Sequence, residues 1–413
     1  MPDSSVLNEA ARVLKLVQTG VPADAALRET LGRTRHLSAP RLRREVTRAV
    51  FAHVRWWRWL EPKHSLQKQA EAALELQARF DRVPESFKPE GLAARAAPKW
   101  TLDEIAWPEA AENITEAVRS EVATPSTPQP TTPEDKRPYP TELACLRQMQ
   151  REPALWLRAK KDHTASVMRS LGDCSAPDLS TFGVPHSAFI YSGHRDLFLT
   201  HEFRHGLFEI QDLASQLVGF ACAPQPGQVW WDACAGEGGK TLHLSDLMQN
   251  KGLIWASDRS RRRLEHLKKR AARAHMFNYR AEFWNGPVKL PTKTKFDGVL
   301  VDAPCSGIGT WQRNPHARWT TSPNDVQELA TVQSNLLKHV APSLKSGARL
   351  VYSVCTLTRA ETLDVVEKFS TEHHDFEPVP VFPSSALRPQ SSIFLWPHEL
   401  NANGMFIATW RKK

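Results

Sequence analysis

From Val229 onward the chain alternates short apolar runs with amphipathic stretches, and no other feature restricts its fold as strongly. Residues 229–232, 253–258, 296–302 and 349–354 are rich in β-branched and aromatic side chains and lie between breakers or charges, as strands buried on both faces do. Residues 240–248, 261–274 and 325–344 carry helical periodicity in between. Strand, helix, strand in sequence implies crossover connections. The expected fold is therefore α/β, a doubly wound Rossmann-like sheet of parallel strands. Ligands of such sheets sit beyond the carboxyl ends of the strands, so the residues that follow each run become the candidates for chemistry.

Upstream, residues 1–121 read as an all-α domain. Val6, Ala10, Val13, Leu14 and Val17 keep a 3.6-residue period that Gly20 ends, and 23–31 suits a second helix. Ser38 is placed to cap a third, with Pro40 in its first turn and Leu42, Val46, Ala49, Val50, Val54 and Trp57 on its apolar face. Arg41, Arg43, Arg44, Arg48, Arg55 and Arg58 fall mostly off that face, and a fourth helix is expected over 66–80. Residues 122–140 are rich in Pro and Thr and read as a linker. Residues 141–215 suggest a small α+β subdomain, with strands at 154–159, 188–191 and 197–200 and a helix at 164–171. Residues 216–413 carry the large sheet.

Lys and Arg total 54 against 45 Asp and Glu, a net charge of +9, which favours a polyanionic partner over a neutral one. No apolar run approaches the roughly 20 residues of a membrane span, and the start Met1-Pro2-Asp3-Ser4-Ser5 has neither the basic nor the apolar part of an export signal. Six cysteines in 413 residues, none at zinc-ligand spacing, make neither a disulfide scaffold nor a metal site. A cytoplasmic protein without membrane or metal is expected.

The run at 229–232 leads into Cys234-Ala235-Gly236-Glu237-Gly238-Gly239-Lys240-Thr241. Small residues here let the backbone approach a ligand at a helix start. One reading is a P-loop ATPase, since Gly239-Lys240-Thr241 imitates the end of that motif. The motif, however, needs Gly where Cys234 stands, and Glu237 sets a negative charge in a phosphate cradle. The other reading is an adenosine cofactor without phosphates, S-adenosyl-L-methionine, whose cationic groups accept Asp232, Glu237 and Asp302 nearby. Asp258, ending the second strand, suits ribose hydroxyls, although strand-end carboxylates such as Asp232 and Asp258 also cap helices.

Cys305 and Cys355 each follow a buried run, fifty residues apart. Methylation at carbon 5 of a pyrimidine requires a thiolate to add to carbon 6, an acid near N3, and help in eliminating the thiol. Cys355, Asp302 and Cys305 supply one group for each task.

These residues resemble the RsmB/Sun family of RNA cytosine-5 methyltransferases. The resemblance is carried by Cys234 to Thr241, Asp302-Ala303-Pro304-Cys305-Ser306-Gly307, Arg313-Asn314-Pro315 with Trp319, Tyr352-Ser353-Val354-Cys355-Thr356 and Gly404-Met405-Phe406. Gln211 to Gln216 resembles the family's lead into its core, and the likeness covers roughly residues 150–413. It implies Cys355 as nucleophile, Cys305 assisting product release and Asp302 on the cytosine edge. It also implies a cofactor held by Cys234, Ala235, Gly236, Glu237, Gly238, Gly239, Lys240, Asp258, Arg263, Asn285 and Asp302. On the pattern of carbon-5 DNA methyltransferases, Cys305 would attack instead. The first 121 residues resemble the family's NusB-like domain, and the segment with Trp156-Leu157-Arg158 its RNA-binding part, which makes ribosomal RNA the first choice of partner. Gly236-Glu237 stands where the family has Ala-Pro, and Asn285 where an acid is expected. Trp311 and Trp319 follow the Cys305 loop and are candidates to stack on a base. Cys145, Cys174 and Cys222 read as small core residues. The competing function is a non-catalytic RNA-binding or ribosome-assembly factor on the same scaffold.

Overall fold

The structure is a computed structural model and describes residues 3–33, 40–108, 140–286, 292–382 and 389–413. The chain divides into two units. The described part of the first comprises 3–33, 40–107, 140–153 and 310–322, and that of the second 108, 154–286, 292–309, 323–382 and 389–413.

The first unit is helical, built on α1 (Ser4–Gln18), α2 (Ala23–Arg33), α3 (Pro40–Trp56) and α4 (Leu66–Arg82). Asp3 caps α1 by accepting from the Ser5 amide, and Ser65 caps α4 by accepting from Lys68. Val6, Ala10, Val13, Leu14 and Val17 of α1 bury against Val46, Ala49, Val50 and Val54 of α3, which accounts for the period seen in the sequence. Ser38 lies outside the described residues. Trp57 departs from expectation. The α-helix ends at Trp56, the next turn tightens to 3₁₀, and Trp57 is left 44% exposed while Trp56 is fully buried. Arg55 is also buried, donating to Gln77 Oε1 at 2.8 Å.

Further helices of this unit include α5 (Pro89–Arg95) and α6 (Pro140–Gln150). The subdomain start expected at 141 is thereby corrected: α6 buries Cys145, Leu146 and Met149 within the helical unit. Apart from Pro140, the Pro/Thr-rich stretch 122–140 lies outside the described residues.

The second unit begins with an antiparallel sheet in the order β2 (Cys174–Ser175), β3 (Ala188–Tyr191), β1 (Trp156–Ala159) and β4 (Phe208–Ile210), accompanied by α7 (Thr164–Leu171). The strand expected at 197–200 is a 3₁₀ turn instead, because Asp196 captures the Phe198 amide at 3.0 Å and Phe198 and Leu199 face solvent.

The large sheet follows, introduced by α8 (Leu213–Cys222). Five strands run parallel in the order β7 (Tyr279–Phe283), β6 (Leu253–Asp258), β5 (Val229–Asp232), β8 (Phe296–Asp302) and β9 (Leu344–Val354). β12 (Met405–Lys412) pairs antiparallel with β9, and β10 (Phe376–Pro378) and β11 (Ser392–Leu395) pair antiparallel with β12. The crossover helices are α9 (Gly239–Leu247), α10 (Arg261–Arg273) and α11 (Pro323–Val340), with α12 (Leu363–Glu372) after β9. Side chains alternate between two cores, so Trp230 joins one and its neighbour Trp231 the other. Burial on both faces explains why the strands read as continuous apolar runs. The chain runs outward from β5 to β6 and β7 and then returns to β8, which puts the switch point between β5 and β8.

Candidate active site

Beyond β5, the Ala233 amide donates to Leu300 O of β8 and the Ala235 amide to Ser257 O of β6, so the loop is laid across both neighbouring strands. Gly238, at φ 85°, starts α9, and a Cβ there would meet Leu267 Cγ at 2.7 Å. That glycine serves helix packing and does not face the cavity. The other expected cofactor residues do: Cys234, Ala235, Gly236, Glu237, Gly239, Lys240, Asp258, Arg263, Asn285 and Asp302 line one cavity of about 450 Å³, together with Cys305 and Cys355.

Asp258 does not cap α10, whose N-cap is Ser260. Its Oδ1 accepts from the Ser260 amide at 2.7 Å and its Oδ2 from Gly236 at 3.0 Å, and it still borders the cavity. Asp232 accepts from Thr241 Oγ1 at 2.7 Å, while its Oδ1 is buried on the cavity wall without a partner. Burial pushes the Asp232 carboxyl up to about 7. Lys240 Nζ donates to Asp302 Oδ2 at 2.7 Å. The ammonium and hydroxyl that a P-loop would aim at phosphate and metal are thus engaged with carboxylates. An unpartnered buried oxygen in an acidic cavity suits a cationic ligand, and the residues fit S-adenosyl-L-methionine.

β8 and β9 pair Asp302 with Ser353, so the loops that follow them leave the sheet side by side. Cys305 Sγ and Cys355 Sγ lie 3.3 Å apart. A glycine pair holds the second loop: Gly309 N–H donates to Cys355 O at 3.1 Å and Gly404 N–H to Gly309 O at 2.7 Å. A Cβ on Gly309 would lie 2.1 Å from the Gly404 carbonyl oxygen, so that position requires glycine. Asp302 also accepts from Ser353 Oγ at 2.8 Å.

The two thiols differ in their surroundings. The hydrogen bond between the two thiols draws Cys355 below the ordinary thiol range, with Lys240 assisting against burial and the charges of Asp302 and Glu361. Cys305 is pushed well up by that same hydrogen bond, by burial, and by the charges of Cys355 and Glu361. Burial alone would lower Lys240, but Asp302, then Cys355 and Asp232, outweigh it and the net shift is upward. Burial drives Cys145 up to about 12, and raises Cys222 and Cys234 beyond the reactive range.

Trp311 and Trp319 are corrected. The chain leaves the sheet unit after Gly309 and rejoins it at Pro323, and the intervening segment belongs to the helical unit. Trp311 is fully buried there, and Trp319 packs on the helical core with its indole N–H donating to Val54 O at 2.8 Å. Neither is a base-stacking surface. Glu361 and Gln333, unremarked in the sequence, are fully buried beside the cysteine loops. The one signal for Glu361 is an acid that follows the hydroxyl-rich Thr356-Leu357-Thr358. Among the described residues, no cluster of three His, Cys, Asp or Glu side chains is arranged to hold a metal ion, and no helix is long and apolar enough to cross a membrane.

An open α/β sheet with an acidic, glycine-rimmed cavity at its switch point defines a Rossmann-like methyltransferase fold. Residues 220–411 match the family described as 16S rRNA methyltransferase RsmB/F. The chain is 37% identical over 222 residues to "Probable ribosomal RNA small subunit methyltransferase B" of Bacillus subtilis (strain 168), covering 52% of this chain and 50% of the relative. It is 33% identical over 283 residues to the protein of the same name from Synechocystis sp., covering 66% of this chain and 63% of that one. The matches thus span about half to two thirds of these relatives' length. A solved methyltransferase homologue from Pyrococcus horikoshii superposes with a TM-score of 0.57 at 25% identity, covering 66% of this chain and 91% of that structure. The family match does not reach residues 1–219.

Proposed function

We propose that this protein transfers a methyl group from S-adenosyl-L-methionine to carbon 5 of a cytosine in RNA, with ribosomal RNA as the substrate. The observation that carries the reading is the approach of two thiols to 3.3 Å on the wall of a cavity bordered by the glycine loop and Asp258. The names and family of the relatives point to ribosomal RNA.

When bound, the cofactor supplies an electrophilic methyl group. The loop from Cys234 to Lys240, with Asp258, Arg263 and Asn285, would hold it, and Asp232, with one oxygen unpartnered, would favour its cationic groups. Cys355, drawn toward the thiolate, adds to carbon 6 and makes carbon 5 nucleophilic. Asp302, fixed by Lys240 and Ser353, receives the N3 edge of the ring. After transfer the carbon-5 proton leaves to water, the ring double bond re-forms and the carbon–sulfur bond breaks, returning its electron pair to Cys355. Cys305, hydrogen-bonded to that sulfur, assists its departure. The target must be unpaired or flipped out to reach both thiol and cofactor.

The test is transfer of labelled methyl groups to RNA from cells lacking the modification, followed by mapping of the labelled base. Label at carbon 5 of cytosine is expected. Label on another atom, or none on any RNA, sinks the proposal.

A further inference from the structure

Between β9 and α12 a single carboxylate binds both cysteine loops. Glu361 is fully buried. Its Oε1 accepts from the Ser306 amide at 2.8 Å and from Gln333 Nε2 at 3.0 Å. Its Oε2 accepts from Ser306 Oγ at 2.5 Å, Thr358 Oγ1 at 2.9 Å and Thr356 Oγ1 at 3.1 Å. Ser306 follows Cys305 and Thr356 follows Cys355, and their hydroxyls lie 2.8 Å from each other. Gln333 Nε2 also donates to Pro304 O at 2.9 Å, so the residues on both sides of Cys305 are held. The Tyr352 hydroxyl, at 2.6 Å from Glu361 O and 3.0 Å from Gln333 Oε1, fixes the clamp to β9.

We propose that Glu361 is the positioning residue of the thiol pair: it holds the two cysteine loops against each other and so keeps the two sulfurs in contact. A buried carboxylate is tolerated only where donors surround it, and five donors from four residues leave it one seat. The titratable groups facing the pair are Asp302 on β8, Tyr352 on β9, Lys240 on α9 and Glu361 itself. Glu361 disfavours negative charge on both sulfurs, so the thiol–thiol contact that the clamp enforces, with Lys240 beside Cys355, is what separates them. The inequality of the two sulfurs therefore follows from their 3.3 Å contact and is built into the free protein. Its catalytic meaning rests on the methyl-transfer reading, but its test does not.

The test uses the full chain without RNA or cofactor. Iodoacetamide labelling is followed for each cysteine by peptide mass spectrometry between pH 6 and pH 10. Cys355 should react first, with Cys305 at least tenfold slower near pH 8. Glu361→Gln, nearly isosteric but uncharged, should reduce that ratio about tenfold and move the Cys305 profile to lower pH. Glu361→Asp keeps the charge and should hold the ratio within about threefold. A folded Glu361→Gln variant with the original ratio and profiles overturns the proposal. Should that variant not fold, the unmodified protein decides: Cys305 reacting first, or both thiols reacting together, overturns it equally. Because no methyl is transferred, failure here leaves the methyl-transfer reading standing, and failure of that reading leaves this one standing.

Discussion

At the carboxyl edge of the large sheet, Lys240 and Asp232 are buried yet border a cavity beside the partly exposed Asp302, and one oxygen of Asp232 has no partner. In the helical unit, Arg318 is equally buried, but its guanidinium is spent on the chain: Nη1 donates to Ala96 O at 2.8 Å, and Nη2 to Met149 O at 2.9 Å and Trp311 O at 3.3 Å. Burial pushes Arg318 down to about 9, and it stays charged at neutral pH. Both regions bear the cost of burying charge. In one, the polar groups face space that a ligand can fill. In the other, they fasten the 310–322 segment. Burial of charge alone does not mark an active site; its opening to a cavity does.

The sharpest way to break this comparison is at the sulfurs. Cys355→Ala should abolish transfer and any covalent capture of RNA. Cys305→Ala should accumulate a protein–RNA adduct that survives denaturing electrophoresis. Both variants should melt close to the parent protein, because neither thiol is a main support of the core. If the Cys305 variant turns over normally and the Cys355 variant traps RNA, the roles are exchanged.

Asp232 gives the next largest effect. Its carboxyl titrates near 7 in the folded chain and near 3.8 when unfolded. The folded state therefore holds a proton that the unfolded state has lost, and stability falls as pH rises from about 4 to about 7. Each pH unit across that window costs up to about 1.4 kcal/mol, roughly 4 kcal/mol in all as an upper bound. Urea midpoints at several pH values should show this slope flattened in Asp232→Asn. An unchanged slope would remove Asp232 from the set of groups poised for a cationic ligand.

The helical unit supplies the smallest effect. Arg318→Met leaves three buried carbonyls unpaired while relieving one buried charge, for a net loss of about 2–3 kcal/mol. Arg318→Lys should not restore it, since one ammonium cannot span the carbonyls a guanidinium fork reaches. A urea midpoint equal to the parent's in Arg318→Met would show that the segment is held by Trp311 and Trp319 packing alone.

Much of the catalytic sheet was legible because its strands are buried on both faces, and their boundaries at 229–232, 253–258 and 296–302 follow from runs that no surface strand would carry. β7 was missed: its pattern Tyr279-Arg280-Ala281-Glu282-Phe283 is mixed, and every residue in it is at least partly exposed, as an edge strand's are. The antiparallel strands β10 to β12 were missed; β12 joins the sheet by pairing with β9, some fifty residues earlier, and carries β10 and β11 with it. Trp319 was misplaced for a related reason. Its neighbours in sequence belong to the Cys305 loop, but its partner, Val54, lies 265 residues away.

Taken by itself, the sequence determined the parallel core, the glycine loop, and the candidacy of Cys305, Cys355 and Asp302, because periodicity, small residues and reactive side chains are local properties. Only the tertiary structure decided that the two sulfurs touch, that Lys240 pairs with Asp302, that Glu361 binds both loops, and that residues 310–322 join the helices. Each of those facts joins positions tens to hundreds of residues apart, and no local pattern specifies which distant groups a buried charge will find.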